Sequence, residues 1–303
     1  MTEPEIARLA HAVAASLAFP LGGAVVLLLS GERYCRALAV ALATAAFASG
    51  VAVVWSVIPG ELEWTRWSLR WIEHADRGVF GFLIDPLSAI LLLVATGIGL
   101  LVVLYSTGYL GPGNAEHATR TGQARYYFWL LAFEGSMVGL VISPNLLQLF
   151  IFWEMTTVCS WALISYYQNE EALKAGFKAL IMTHVGGFGF LIALALLFAS
   201  MRSFAFAALA QAPAGIKTAC YILLLVAAWA KAAQVPFHTW LPSAMAAPTP
   251  VSAYLHAAAM VKAGVFLMAR VVMPGVPTPH AAGVTMLGMA LLTIAVAVFF
   301  MVL

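Results

Sequence analysis

Nine apolar runs separated by short polar breaks leave this chain few ways to fold. They lie near residues 11–30, 36–58, 80–110, 126–143, 145–168, 172–200, 216–245, 250–273 and 283–303. A helix of roughly 20 apolar residues crosses the hydrocarbon core of a bilayer. Inside that core a backbone finds its hydrogen-bond partners only in helices or closed barrels. The runs therefore predict an all-α polytopic membrane protein with about nine transmembrane helices. Composition agrees: of 303 residues, 63% are hydrophobic and only 9% charged, where a soluble domain carries about a quarter charged. The mean hydropathy is +0.95. The runs at 80–110 and 172–200 exceed the hydrocarbon thickness, so their helices are expected to project beyond it or to tilt.

Several classes of function fall away at this stage. The start, "MTEPEIARLA", is acidic and lacks the positive region of a cleaved secretory signal, so the first run reads as a retained helix. A formal net charge of +2 with no basic cluster gives no purchase for nucleic acid. Cys35, Cys159 and Cys220 are scattered without a CxxC pair, and neither a metal, a cofactor nor a disulfide framework is expected. The segment 59–79 mixes Trp64, Trp67 and Trp71 with Arg66, Arg70 and Glu73, a composition suited to headgroup depth. Loop charges do not orient the chain. With the N-terminus outside, Arg33, Arg36, Arg120, Arg125 and Lys174 lie inside against Arg66, Arg70, Arg77, Arg202 and Lys217 outside. The chain stops at Leu303 within an apolar run, which favours a piece of a longer sequence over a natural end.

Charges inside the apolar runs carry the functional information. Glu134, Glu154, Lys178, Lys231 and Lys262 fall well within them, and Asp85 stands near the start of "FLIDPLSAILLL". Each charge at a helix centre costs roughly 2.5–3.5 kcal/mol on insertion scales, and such residues mark ion or proton paths by default. Glu154, in "LFIFWEMTTVCSW", calls for a basic partner, and Lys231 is the best placed by depth. A carboxylate beside a buried lysine favours the charged ammonium, so moving the two apart or together would unload or load a proton. The competing reading is a static ion pair that fixes helix packing.

The surroundings of Lys231 are unusual. In "AWAKAAQVPFHTWLPSAMAAPTP" it is followed by Pro236, Pro242, Pro248 and Pro250, each of which removes a helical hydrogen bond. Two half-helices joined at "AAQVPF" are expected, with Pro236 opening the backbone so that water and polar groups reach Lys231. His238 follows the break. His256 and Lys262, about 120° apart around a helix, suit successive stations on a hydrated path. For His256 alone a packing role weighs equally. Lys174 and Lys178 share one helix face, His184 follows, and Gly186, Gly187 and Gly189 suggest close helix approach. Glu134 either feeds the path or hydrogen-bonds as a neutral acid.

Four stretches together resemble the antiporter-like subunits of respiratory complex I and of Mrp-type multisubunit cation/proton antiporters. They are "DPLSAILLLVATGIGLLVVLYSTGYL" (85–110), "FWEMTTVCSWALISYY" (152–167), "KAAQVPFHTWLPSAM" (231–245) and "APTPVSAYLHAAAMVKAG" (247–264). The last looks closest to the large subunit of Mrp antiporters and to membrane-bound hydrogenase relatives. The resemblance implies inverted five-helix repeats. Residues 1–125 would hold three preceding helices, 126–273 the first repeat, and 274–303 the start of a truncated second. It matches Glu154 to the family's glutamate on the fifth helix, Lys178 to a lysine on the sixth and Lys231 to the lysine on a broken seventh. Lys262 matches a basic residue on the eighth, with His256 beside it and His184 at a position basic in some relatives. It also places the N-terminus outside.

The expected function is a proton-translocating subunit of a multisubunit complex in a bacterial or archaeal plasma membrane. Its expected partners are other membrane subunits, lipid and protons, with sodium left open. The rival is a subunit that scaffolds or couples a redox complex without moving ions itself. A membrane enzyme finds no support in any cofactor loop or nucleophile constellation.

Overall fold

A bilayer offers no partner to a backbone N–H, and the chain satisfies its own groups chiefly in helices. The computed structural model describes residues 3–57, 65–69, 80–111, 113–114, 122–272 and 278–302. Helices α1 (Glu3–Ser30) and α2 (Cys35–Val57) open the chain and pack on each other. Strands β1 (Thr65–Leu69) and β2 (Phe80–Ile84) pair antiparallel, from Thr65 opposite Ile84 to Leu69 opposite Phe80. Then come α3 (Pro86–Tyr109), α4 (Gln123–Val141), α5 (Leu146–Ile164) and α6 (Glu170–Met201). A short α7 (Phe206–Gln211) precedes α8 (Ala214–Lys231). Two 3-10 turns (Phe237–Thr239 and Ala244–Ala246) flank α9 (Trp240–Ser243), and α10 (Thr249–Ser252) follows. A π-helical turn (Ala253–Ala258) leads into α11 (Met260–Val272), and α12 (His280–Val302) comes last.

Among the described residues, eight helical stretches are long and apolar enough to cross a membrane, against the nine expected. The difference is α4. It is a 19-residue helix as expected, but almost every residue of it is buried, and α1, α2, α3 and α5 all pack on it. A helix enclosed by protein needs no lipid-facing apolar surface, so it can bury Gln123 and Glu134, while Arg125 in its first turn is exposed. At the other extreme, α12 packs on α8 while its spanning stretch is 0% buried. Helix α6, at 32 residues, is about 48 Å long and does exceed a core of about 30 Å.

Two expectations about elements need correction. The run at 80–110 is not one helix: its first five residues form β2, half of a two-stranded ribbon on an all-α polytopic bundle, and α3 begins at Pro86. Proline disfavours a helical conformation in the residue before it. Asp85 is accordingly extended (φ −139°, ψ 176°) and caps α3 by accepting from Ser88 N at 2.8 Å. The strand is tied to the bundle by Gln148, whose side chain bonds both N and O of Gly81, and by Leu83 N donating to Ile142 O. The second correction concerns 216–245. Its first half is α8, but its second half is a chain of short turns rather than a half-helix, because Pro236, Pro242 and Pro248 recur too often for a longer one.

The interfacial reading of 59–79 concerns positions that mostly lie outside the described residues: Trp64, Arg70, Trp71, Glu73 and Arg77. Arg66 and Trp67 belong to β1. Arg120, used in the loop-charge comparison, also lies outside them.

Candidate functional site

Helix α8 ends at Lys231, whose side chain is completely buried. Its ammonium group lies at the negative end of the helix dipole. Nζ donates to Thr157 Oγ1 at 2.7 Å and to Trp153 O at 2.9 Å, and it sits 5.0 Å from the centre of the Trp153 ring. Thr157 in turn donates its hydroxyl hydrogen to Trp153 O. These acceptors are neutral and come from one turn of α5. The proline-rich stretch folds back beneath this point: the buried Trp240 donates its indole N–H to Ala230 O at 2.9 Å. The prolines thus leave the chain free to return a tryptophan to the end of α8 beside the lysine.

Glu154 does not touch Lys231. Among the described residues no ion pair joins them, and the carboxylate turns to α6, where Glu154 Oε2 lies 2.6 Å from His184 Nδ1. The approach is close enough for an ion pair with protonated imidazole but is not aligned as a hydrogen bond. Helix geometry explains the arrangement. Trp153 and Thr157 are four residues apart and share the face that holds Lys231, while Glu154 points about 100° away from Trp153. Gly187 makes the room, since a Cβ there would run into Glu154 Oε1. The expected direct Glu154–Lys231 pair is therefore replaced by a carboxylate on His184 and an ammonium on neutral oxygens.

The remaining candidates separate into near and far. Lys178, half-buried on α6, donates to Ser243 Oγ at 3.0 Å. His256 lies in the π-helical turn, buried, its ring 5.9 Å from that of Trp240 and nearly edge-on. Among the described residues neither of its nitrogens finds a hydrogen-bond partner, and Nδ1 of the half-buried His238 is likewise buried without one. Pro236 is exposed, as is Lys262, which points away from the described core on α11. Glu134 is fully buried on α4 with both oxygens unpartnered.

Asp85 stands apart from these charges. It forms a buried bidentate ion pair with Arg270 of α11: Arg270 Nη1 meets Oδ2, and Nη2 meets Oδ1 at 3.1 Å and Ser88 Oγ at 2.6 Å. Ser88 passes its own hydrogen to Val141 O. The guanidinium also lies over the rings of Phe266 and Phe206. Arg270 escaped the sequence reading because it sits in the last turn of its run; an arginine four residues before a proline in so apolar a stretch was the available signal. Thr157 and Ser243 escaped because a hydroxyl in a membrane helix gives no sign of its partner.

The family model described as NADH:quinone oxidoreductase/Mrp antiporter, TM, matches residues 143–302, more than half of the chain. The chain belongs to this family. A second model, NADH-Ubiquinone oxidoreductase (complex I), chain 5 N-terminus, matches residues 71–127 of the same antiporter-like chain. NAD(P)H-quinone oxidoreductase chain 5 of Synechocystis sp. is 39% identical over 241 residues, covering 75% of this chain and 34% of that protein. The chain thus spans about a third of the length of such curated relatives. A chain of the Mrp complex from Dietzia sp. superposes with a TM-score of 0.75 at 31% identity, over 89% of this chain and 29% of that one. A chain of the archaeal membrane-bound sulfane sulfur reductase shares the fold, with a TM-score of 0.75 at 22% identity over 92% of this chain and 57% of that one. This antiporter-family chain is an integral membrane protein.

Proposed function

We propose that the chain is the proton-handling part of an antiporter-like subunit in a multisubunit complex of a bacterial or archaeal plasma membrane. In this reading residues 126–273 form the first repeat of an inverted-repeat transporter. The observation that carries it is the buried Lys231 ammonium, held by neutral oxygens one helix face away from a carboxylate that already has a second basic partner in His184. Glu154 then has two alternatives. Turned to His184 it acts on Lys231 only through space; turned to Lys231 it pairs with it directly and favours the ammonium more strongly. A swing of one carboxylate thereby changes how strongly Lys231 holds its proton. Lys178 with Ser243, and His256 behind Trp240, lie on the route by which water and protons would reach the site. Family membership supports partners of the Mrp or complex I kind. The cation exchanged and the source of energy belong to the complex as a whole.

Glu154→Gln and Lys231→Ala, made in the complex and assayed in inside-out vesicles, should each abolish most proton movement while the subunits still assemble. Full transport by either variant would instead favour a scaffolding role.

A further inference from the structure

Glu134 has no part in the relay just described, yet it is the most deeply enclosed acid among the described residues. Its side chain is 0% exposed and both carboxyl oxygens lack a hydrogen-bond partner. It packs between α3, α4 and the π-helical turn, and its close approach to α3 is possible because residue 99 is glycine. A Cβ on Gly99 would lie 2.8 Å from Tyr254 Oη and 2.9 Å from Glu134 Cδ. Tyr254 belongs to the π-helical turn, two residues before His256, and packs edge-on against Phe133 at 5.2 Å. Its hydroxyl donates to Ala95 O at 2.6 Å. Such π-helical turns occur mostly as single-turn bulges within α-helices, frequently at functional sites.

The chemistry of these two groups fixes which cation can sit between them. A phenol whose one hydrogen is already given to Ala95 O offers Glu134 only lone pairs. A carboxylate would meet them unfavourably; a carboxylic acid can turn its O–H to them, although no hydrogen bond joins the two groups as they stand among the described residues. A metal cation would ask for about six oxygens, which one carboxyl and one phenol do not supply. A proton is the cation that fits. If the acid ionises, the Tyr254 O–H has an alternative to Ala95 O and can turn to the carboxylate, a charge-assisted bond of the stronger kind. No other titratable group among the described residues competes. Cys159 of α5 meets Ser136, Glu154 of α5 faces His184, Arg270 of α11 is bound to Asp85, His256 stands against Trp240, and Lys262 and His11 are exposed.

We propose that Glu134 is a second proton-binding site, lateral to the Glu154–Lys231 region, with Tyr254 as the hydroxyl that turns to its carboxylate when the proton leaves. One proton leaves the carboxyl O–H for water and returns to the same oxygen, so the site alternates between neutral and −1. The π-helical turn links it to the relay, presenting Tyr254 to α3 and α4 and His256 to Trp240. This deepens the proton-translocation reading, but its test does not depend on transport.

The test is the infrared difference spectrum of the purified complex between high and low pH. A carboxylic C=O band that grows on acidification is expected in the native complex. It should vanish in Glu134→Gln and move in frequency in Tyr254→Phe. Identical spectra for the native complex and Glu134→Gln would overturn the proposal and leave Glu134 a permanently neutral packing group. Should Glu134→Gln fail to assemble, Tyr254→Phe decides alone: a displaced band supports the site and an unmoved band overturns it. Loss of transport in Glu154→Gln with the Glu134 band retained would keep the two readings distinct.

Discussion

Lys231 is held by two oxygens of α5, and each makes a separable contribution. A hydrogen bond to a charged group is worth about 1.5–3 kcal/mol. Thr157→Val keeps the side-chain volume but removes the acceptor at 2.7 Å, leaving Trp153 O and the tryptophan ring. Transport should fall severalfold, with a changed pH profile and unchanged subunit stoichiometry, when vesicles of the variant are compared with the native complex. Gly187→Ala attacks the same site from the opposite side. The added methyl collides with Glu154 Oε1 and must turn the carboxylate from His184. The expected result is transport reduced at least as much as by His184→Ala; native activity would show that the His184 contact has no part in the cycle. Glu154 and Lys231 were both legible in the sequence because a charge in an apolar run announces itself. Their pairing was not: His184 and Gly187 stood out without showing that they meet Glu154, and Trp153 and Thr157 are ordinary membrane-helix residues until another helix arrives.

Elements are joined at the far end of the bundle by Asp85 and Arg270. Breaking a buried pair by removing one partner costs about 3–5 kcal/mol, because the other charge is left uncompensated. Arg270→Ala strips Asp85 of both Arg270 contacts and leaves Ser88 without that donor, so the level of assembled complex and its thermal midpoint should drop sharply. Arg270→Lys should recover only part of the loss, as an ammonium cannot reproduce the planar two-point contact. A native melting profile for Arg270→Ala would show that the pair does not hold α3 to α11. The start of α3 illustrates what local sequence does reveal. "DPLS" combines a capping acid with proline at the first helical position, and the helix begins there. The preceding "FGFLI" reads equally as helix or strand from periodicity, and only its pairing with Thr65–Leu69 decides for strand.

Across the whole molecule, enclosure falls from α4, buried nearly all round, to α12, whose spanning stretch is 0% buried. Lys262 belongs to the open side: it is exposed and takes no hydrogen bond or ion pair from the described residues. Lys262→Ala should therefore leave thermal stability within about 0.5 kcal/mol of native, the usual range for an unengaged surface site, while lowering proton movement in vesicles. A variant that melts earlier would show that Lys262 bears on packing within the complex. That the chain spans a membrane, roughly where its helices lie, and which charges are too deep to be accidental can all be read from the residues alone. All of these follow from the cost of polar groups in hydrocarbon, which each segment meets on its own. That Glu154 faces His184, that Arg270 belongs to Asp85, and that Glu134 packs beside Tyr254 against Gly99 emerges only from the fold. Those choices depend on which helix faces meet and on where a glycine leaves room, and no segment carries that information alone.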